Sequence, residues 1–173
     1  MCSSDLLVSP QPDLWPTAWP LWGQLLFAIL IADFGITLVH YASHRIEWLW
    51  RFHAPHHSVT RMYGFNGLIK HPIHQALETV AGTLPLVVLG MPFAVGTLLC
   101  FAITVQVLLQ HSNADMRIVP LRSLPALAPL HRFHHQECAG VGDASFGLFI
   151  NIWDYFLGTA IYDHDKRFLS ADL

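Results

Sequence analysis

Residues 20–45 read PLWGQLLFAILIADFGITLVHYASHR, and this stretch decides the fold. From Pro20 to Val39 it carries one charge, Asp33. A run of this length, at about 1.5 Å per residue, reaches about 30 Å, the thickness of a bilayer core. It predicts a first transmembrane helix that continues past His40 and His44 into an aqueous region. Upstream, residues 1–19 are rich in Pro, Ser and Trp. They read as an irregular leader at a membrane surface, with Trp15, Trp19 and Trp22 as interfacial anchors.

Downstream, residues 45–75 are mixed and basic, and residues 76–110 are apolar with only Glu78 charged. The apolar stretch breaks at Leu89-Gly90-Met91-Pro92, a turn signal. Its arms, roughly 14 and 18 residues long, are short against the 17–25 residues of a full span. They predict a tight hairpin in a thinned bilayer or a re-entrant pair. Residues 111–173 form a second polar region, in which GLFINIWDYFLGT (147–159) reads as an amphipathic interfacial piece. The expected fold is all-α: one transmembrane helix plus a helical hairpin, with a cytosolic histidine-rich helical cap, in a single domain over residues 20–173.

Composition agrees. Of 173 residues, 53% are hydrophobic and 12% charged, about half the charged share of a soluble domain. That excludes a soluble globular or disordered chain. A net charge of −3 gives no field for nucleic acid. Cys2, Cys100 and Cys138 form no C-x-x-C pair, so neither a zinc ribbon nor an iron–sulfur cluster is supported. The first nineteen residues hold no Lys or Arg, so no signal peptide with a basic n-region is expected. All nine Lys and Arg lie in 45–75 or 111–173. The positive-inside rule then places both polar regions in the cytoplasm and the N-terminus outside. The twelve histidines fall at the same end.

Three histidine clusters stand out. His40 and His44 are spaced i, i+4, one helical turn apart. His53-Ala-Pro-His56-His57 and His131-Arg-Phe-His134-His135 both read H-x-x-H-H, again one helical face. His111 adds a ninth imidazole. Neutral imidazole is a strong ligand for iron, zinc, copper and nickel. One tetrahedral ion needs about four ligands, so this inventory suits two ions with positions left open. Pro55 disfavours helical geometry at Ala54, so His56 and His57 are expected to start a helix with His53 outside it. Asp33, seven residues before His40, is an expensive intramembrane charge and is expected to orient an imidazole N–H. Asn113, Asp143 and Asp154 are weaker candidates for such support.

These residues resemble the fatty acid hydroxylase superfamily, which includes sterol desaturases and alkylglycerol monooxygenase. The order H-x-x-x-H, H-x-x-H-H, H-x-x-H-H is similar, and so is Asp33 in a D-x6-H pattern. LWRFHAPHHS (49–58), Lys70-His71-Pro72, QHSNADMR (110–117) and IWDYFLGT (152–159) match further family boxes. The likeness covers roughly residues 21–160. It implies a membrane-bound, oxygen-dependent enzyme that hydroxylates or desaturates a lipid at a pair of iron ions, with zinc a possible substitute in purified protein. By position the ligands would be His40, His44, His53, His56, His57, His111, His131, His134 and His135. Asp115 stands where some members carry a further histidine. His71 and His74 would lie beside the metals or the substrate. The family usually has about four membrane helices, where this chain shows one and a hairpin.

The chain carries no dinucleotide fingerprint, haem-attachment motif or iron–sulfur cysteines. Electrons are therefore expected from a separate reductase, ferredoxin or b-type cytochrome. A membrane zinc hydrolase would want H-E-x-x-H or its equivalent, which is missing. A transporter would place its ligands near the midplane. A metal-binding protein without turnover is the remaining alternative.

Overall fold

A computed structural model describes residues 14–114, 116, 123–136 and 142–161. Among them are six α-helices and no strand. They are α1 (Leu21–Arg45), α2 (Glu47–His57), α3 (Pro72–Val88), α4 (Phe93–Gln110), α5 (Ala128–His134) and α6 (Ile152–Leu157), with a 3-10 turn at Phe65–Leu68. Two of them, α1 and α4, are long and apolar enough to cross a membrane.

The predicted first helix forms and runs on through both His40 and His44. The hairpin also forms, turning at Gly90 with φ +83°, a conformation that costs glycine no Cβ clash. Its first arm starts earlier than the apolar run does, because Pro72 occupies the first helical turn and the His71 ring accepts the N–H of Ile73. The C-termini of α1 and α4 and the N-terminus of α3 therefore share one end of the bundle.

Small residues let α1 and α3 approach closely. A Cβ added at Gly35 would run into the Ala81 carbonyl, and one at Gly82 would press on Ile36. Pro85 has no N–H to offer that Ala81 carbonyl, which leaves it available to the face of α1. The buried core is thin: Ala28, Ala32, Leu86, Val95 and Leu99, with Trp15 folded in. Large apolar side chains point outward instead, among them Leu26, Leu30, Phe34, Val87 and Phe101. Such a surface suits lipid, not water.

Three expectations are corrected. Trp15 is no interfacial anchor: its ring is buried 5.5 Å from that of Phe27, and its indole N–H donates to Gln24 Oε1 at 2.7 Å. Trp19 and Trp22 are exposed. Pro55 does not begin a helix but lies inside the last turn of α2, so His53 is helical with His56 and His57. The bond lost there is to the Arg51 carbonyl, on an exposed residue that water can reach. Finally, 147–159 does not lie in the interface as one amphipathic piece. Residues 147–150 are irregular backbone sunk between α1 and α4, and only Ile152–Leu157 is α-helical. Irregular backbone survives at such depth only when its polar groups are met by protein. Gln106 Nε2 donates to the carbonyls of Ala126 and Leu148, and Gln110 Nε2 donates to that of Gly147.

Candidate metal centre

The nine clustered histidines come together at the shared end of the bundle and form two groups. One holds His40, His44, His53, His57 and His134; the other holds His56, His111, His131 and His135. Within each group the candidate donor atoms all lie within 4.8 Å of one another. Every one of the nine turns Nε2 inward. In the first group His40 and His134 are 2.8 Å apart at Nε2, His53 and His57 2.9 Å, and His44 and His57 3.2 Å. In the second, His111 lies 3.1 Å from His56 and 3.0 Å from His131, with His131 and His135 at 3.1 Å. The groups abut: the His57 and His135 rings stack at 4.6 Å, those of His131 and His134 at 5.0 Å.

Each H-x-x-H-H box is divided between the groups. His53 and His57 serve the first and His56 the second; His131 and His135 serve the second and His134 the first. Residues spaced i, i+4 thus stay together, while the i+3 residue crosses to the other side.

The tautomers are set by neighbours. Nδ1–H of His40 donates to the Phe146 carbonyl at 2.9 Å, and that of His134 to the Ala144 carbonyl at 3.1 Å. His56 donates to Ile69, His111 to Val107, and His44 to the Asp143 carboxylate at 3.0 Å. Each such bond leaves Nε2 as a bare lone pair. Burial is the main force holding His53, His56, His131, His134 and His135 neutral, their ring nitrogens pushed far below the usual range, with neighbouring imidazoles adding to it. Burial also lowers His57 to about 3 and His111 to about 4, the latter partly offset by the Val107 carbonyl. Neutral rings with lone pairs aimed at one another repel unless a cation sits between them.

The spacing tests which cation fits. With metal–nitrogen bonds of about 2.1 Å, a tetrahedron holds its nitrogens about 3.4 Å apart and a right angle about 3.0 Å. The closest pairs lie at 2.8–3.2 Å and the remaining donors of each group within 4.8 Å, a span that a single ion can bridge. Groups of five and four neutral imidazoles suit one transition-metal ion each.

The remaining sequence candidates are placed as follows. Asp33 meets no imidazole among the described residues, contrary to expectation. Its Oδ1 accepts the N–H groups of Leu148 (3.0 Å) and Phe149 (2.8 Å), and its Oδ2 those of Ile150 (3.3 Å) and the Trp153 indole (3.1 Å). Four donors converge there, more than one imidazole could offer. Asp33 acts on the metal end only through the segment whose Phe146 carbonyl orients His40. Asp154 holds the same segment from the other side, accepting from Phe146 N at 2.7 Å and Gly147 N at 2.8 Å. Asn113 is exposed and accepts from Arg132, away from the imidazoles. Asp115 lies outside the described residues. His71 caps α3. His74 joins neither group; it is buried, its ring 4.4 Å from that of His53 and its Nε2 3.2 Å from Ser43 Oγ. Sequence reasoning missed the carbonyls of Ala144 and Phe146 altogether, since backbone acceptors leave no residue signature. It also missed Trp50, whose ring packs 5.0 Å from that of His44.

An apolar groove of about 750 Å³ opens between α1 and α3. Leu30, Phe34, Leu38, Ala42 and Ala81 line it, and Trp153, tethered by Asp33, forms part of its wall.

The family model described as fatty acid hydroxylase matches residues 25–159. Ornithine lipid hydroxylase OlsE of Rhizobium tropici is 39% identical over 167 residues, covering 96% of this chain and 50% of that protein. Alkylglycerol monooxygenase of Danio rerio is 26% identical over 152 residues (88% of this chain, 33% of that protein). Sphinganine C4-monooxygenase 2 of Arabidopsis thaliana is 25% identical over 148 residues (83% and 57%). The chain thus spans between a third and just over half the length of these relatives. No solved structure matches it significantly.

Proposed function

The chain belongs to the fatty acid hydroxylase family, and on that footing we propose that it is a membrane-bound, oxygen-dependent hydroxylase acting on a C–H bond of a lipid. The observation that carries this reading is the convergence of nine Nε2 atoms into two adjoining groups. Two iron ions, one in each group, would supply the activation of dioxygen that attack on an unactivated C–H bond requires. The lack of an H-E-x-x-H motif or its equivalent favours this over a zinc hydrolase. Hydroxylation is favoured over desaturation because the relatives named above are hydroxylases and monooxygenases.

The protein's own part is positioning and exclusion. The Phe146, Ala144, Val107 and Ile69 carbonyls and Asp143 fix five imidazoles with Nε2 bare. Burial keeps the rings neutral and water away from the reacting centre. The groove between α1 and α3 offers an acyl or alkyl chain a path along the bilayer, with Ala42 and Leu49 towards its histidine end. The basic residues that share that end support a histidine cap on the cytoplasmic side with the N-terminus outside. There a separate reductase, ferredoxin or b-type cytochrome would deliver electrons.

The test is lipid profiling of cells with and without the protein under oxygen, alongside His134→Ala. A hydroxylated lipid that requires both the protein and His134 supports the proposal. An unchanged profile, or a product made equally well by the variant, refutes it.

A further inference from the structure

The apolar groove leads to a second, charged pocket. Ile31, Gly35, Leu38 and Ala42 line the groove from α1. They are spaced four, three and four residues apart, so they form one stripe along the helix. The next position of that stripe, three residues on, is Arg45, the last residue of α1. There the wall changes character: Arg45, Glu47, Trp50 and Asp143, with His44 of the first histidine group, line a pocket of about 360 Å³. That volume lies within the range of small-molecule sites, about 300–1,000 Å³. Leu49 and Trp50, neighbours in α2, line the groove and the pocket respectively. The Arg45 guanidinium is held 5.2 Å from the centre of the Tyr41 ring and donates to Asp143 Oδ2 at 3.2 Å. It has five N–H groups, so this bond leaves donors to spare. The two side chains are 46% and 37% exposed, and a pair so exposed adds little to stability.

We propose that this pocket seats the polar head of the lipid whose chain lies in the groove, and that it selects a head carrying both an acidic and an ammonium group. The inference rests on the reading of the groove as the lipid's path. Arg45 takes the acidic group, a phosphate or a carboxylate, whose paired oxygens match the guanidinium fork. Glu47 takes the ammonium; its own pairing with Arg51, at 3.3 Å between exposed side chains, is weak and readily exchanged. Asp143 adds a second carboxylate to the same wall. A purely anionic head would meet two carboxylates for one guanidinium, and a purely cationic head would meet Arg45. Only a head of both signs satisfies the whole lining. His44 belongs to this wall and to the first histidine group, so a head seated here is held beside the metal end.

The test measures lipid retention by the full chain in detergent, read by native mass spectrometry. Four probes of one acyl-chain length are used: phosphatidylethanolamine (ammonium and phosphate), an Nα-acyl lysine (ammonium and carboxylate), phosphatidic acid (anion alone) and diacylglycerol (uncharged). Wild type is expected to hold at least one of the first two about fivefold better than either of the others, the scale of one partly exposed charge pair. Which of the two it holds identifies the acidic group as phosphate or carboxylate. Arg45→Met is expected to abolish that preference, and Arg45→Lys to keep part of it. Glu47→Gln is expected to weaken the ammonium-bearing lipids without weakening phosphatidic acid. Ala42→Phe, which fills the groove, is expected to lower retention of all four. A wild type without the preference overturns the inference alone. So does an Arg45→Met variant that keeps the preference, or one that weakens all four lipids equally. If Ala42→Phe retains every lipid as wild type does, the reading of the groove falls and the inference with it.

Discussion

His53 and His56 stand three residues apart on one helix, their rings 5.4 Å apart, and each belongs to a different histidine group. One short helix thus contributes to both groups at once, and α5 with the residue after it does the same in mirror order.

That division predicts separable metal losses. His53→Ala and His134→Ala remove ligands from the first group; His56→Ala and His131→Ala remove them from the second. Each variant is expected to fall from about two ions per chain towards about one, as losing a ligand weakens its own site most. Elemental analysis checks the number, and iron spectroscopy should show a different survivor in each pair. Loss of both ions in every variant would count against two sites.

Asp33→Ala leaves four donors, three of them backbone, without their acceptor. A destabilisation of roughly 3 kcal/mol or more is expected, read as a drop in melting temperature in detergent. Asp33→Asn keeps one acceptor oxygen and should fall between the variant and wild type. Because the same segment orients His40, both should also bind metal more weakly.

The metal-free protein should lose stability as acidity rises. Its histidines ionise below their unfolded value near 6.5, with His111 at about 4 and His57 at about 3. The unfolded chain therefore binds more protons, so stability is full above pH 6.5 and declines as pH falls through these values. The slope is up to about 1.4 kcal/mol per pH unit for each such group. Denaturation of apoprotein at pH 7.5, 6.5 and 5.5 measures it. A flat profile would contradict the burial of neutral rings.

Gly67 lies against the second group. A Cβ there would overlap Val107 Cγ1 and come within 2.6 Å of His111 Nδ1. Gly67→Ala should displace His111 and lower metal content in the second group while sparing the first. Metal analysis of Gly67→Ala beside His111→Ala decides whether the two share one defect.

Filling the groove should separate substrate from metal. Ala42→Phe puts a ring into the space between α1 and α3. Product formation should fall severalfold through a raised KM, with iron content unchanged. A variant with normal turnover would exclude the groove as the lipid's path.

Much of this was written in local spacing. The apolar run 20–39 and the turn at Gly90 gave the helices, because burying or lipid-exposing twenty residues dominates local energetics. The i, i+4 pairs His40/His44, His53/His57 and His131/His135 each stayed in one group, as helix geometry requires. The crossing of His56 and His134 to the other group was not legible, since it depends on where α2 and α5 sit relative to each other. The role of Asp33 was misread for a related reason. Its partners are more than a hundred residues away, and three of them are backbone N–H groups that any residue could supply. Pro55 was misread because a local propensity yielded to the placement of three imidazoles on one helix.

The distance along the chain between Asp33 and Leu148 also orders biosynthesis. When α1 leaves the ribosome and partitions into the membrane, the segment that answers its carboxylate has not yet been translated. The helix must enter carrying an unmatched acid. It reaches its final seat only once residues 148–153 have been made and folded back, so completion of the fold is a late event, after insertion of its helices.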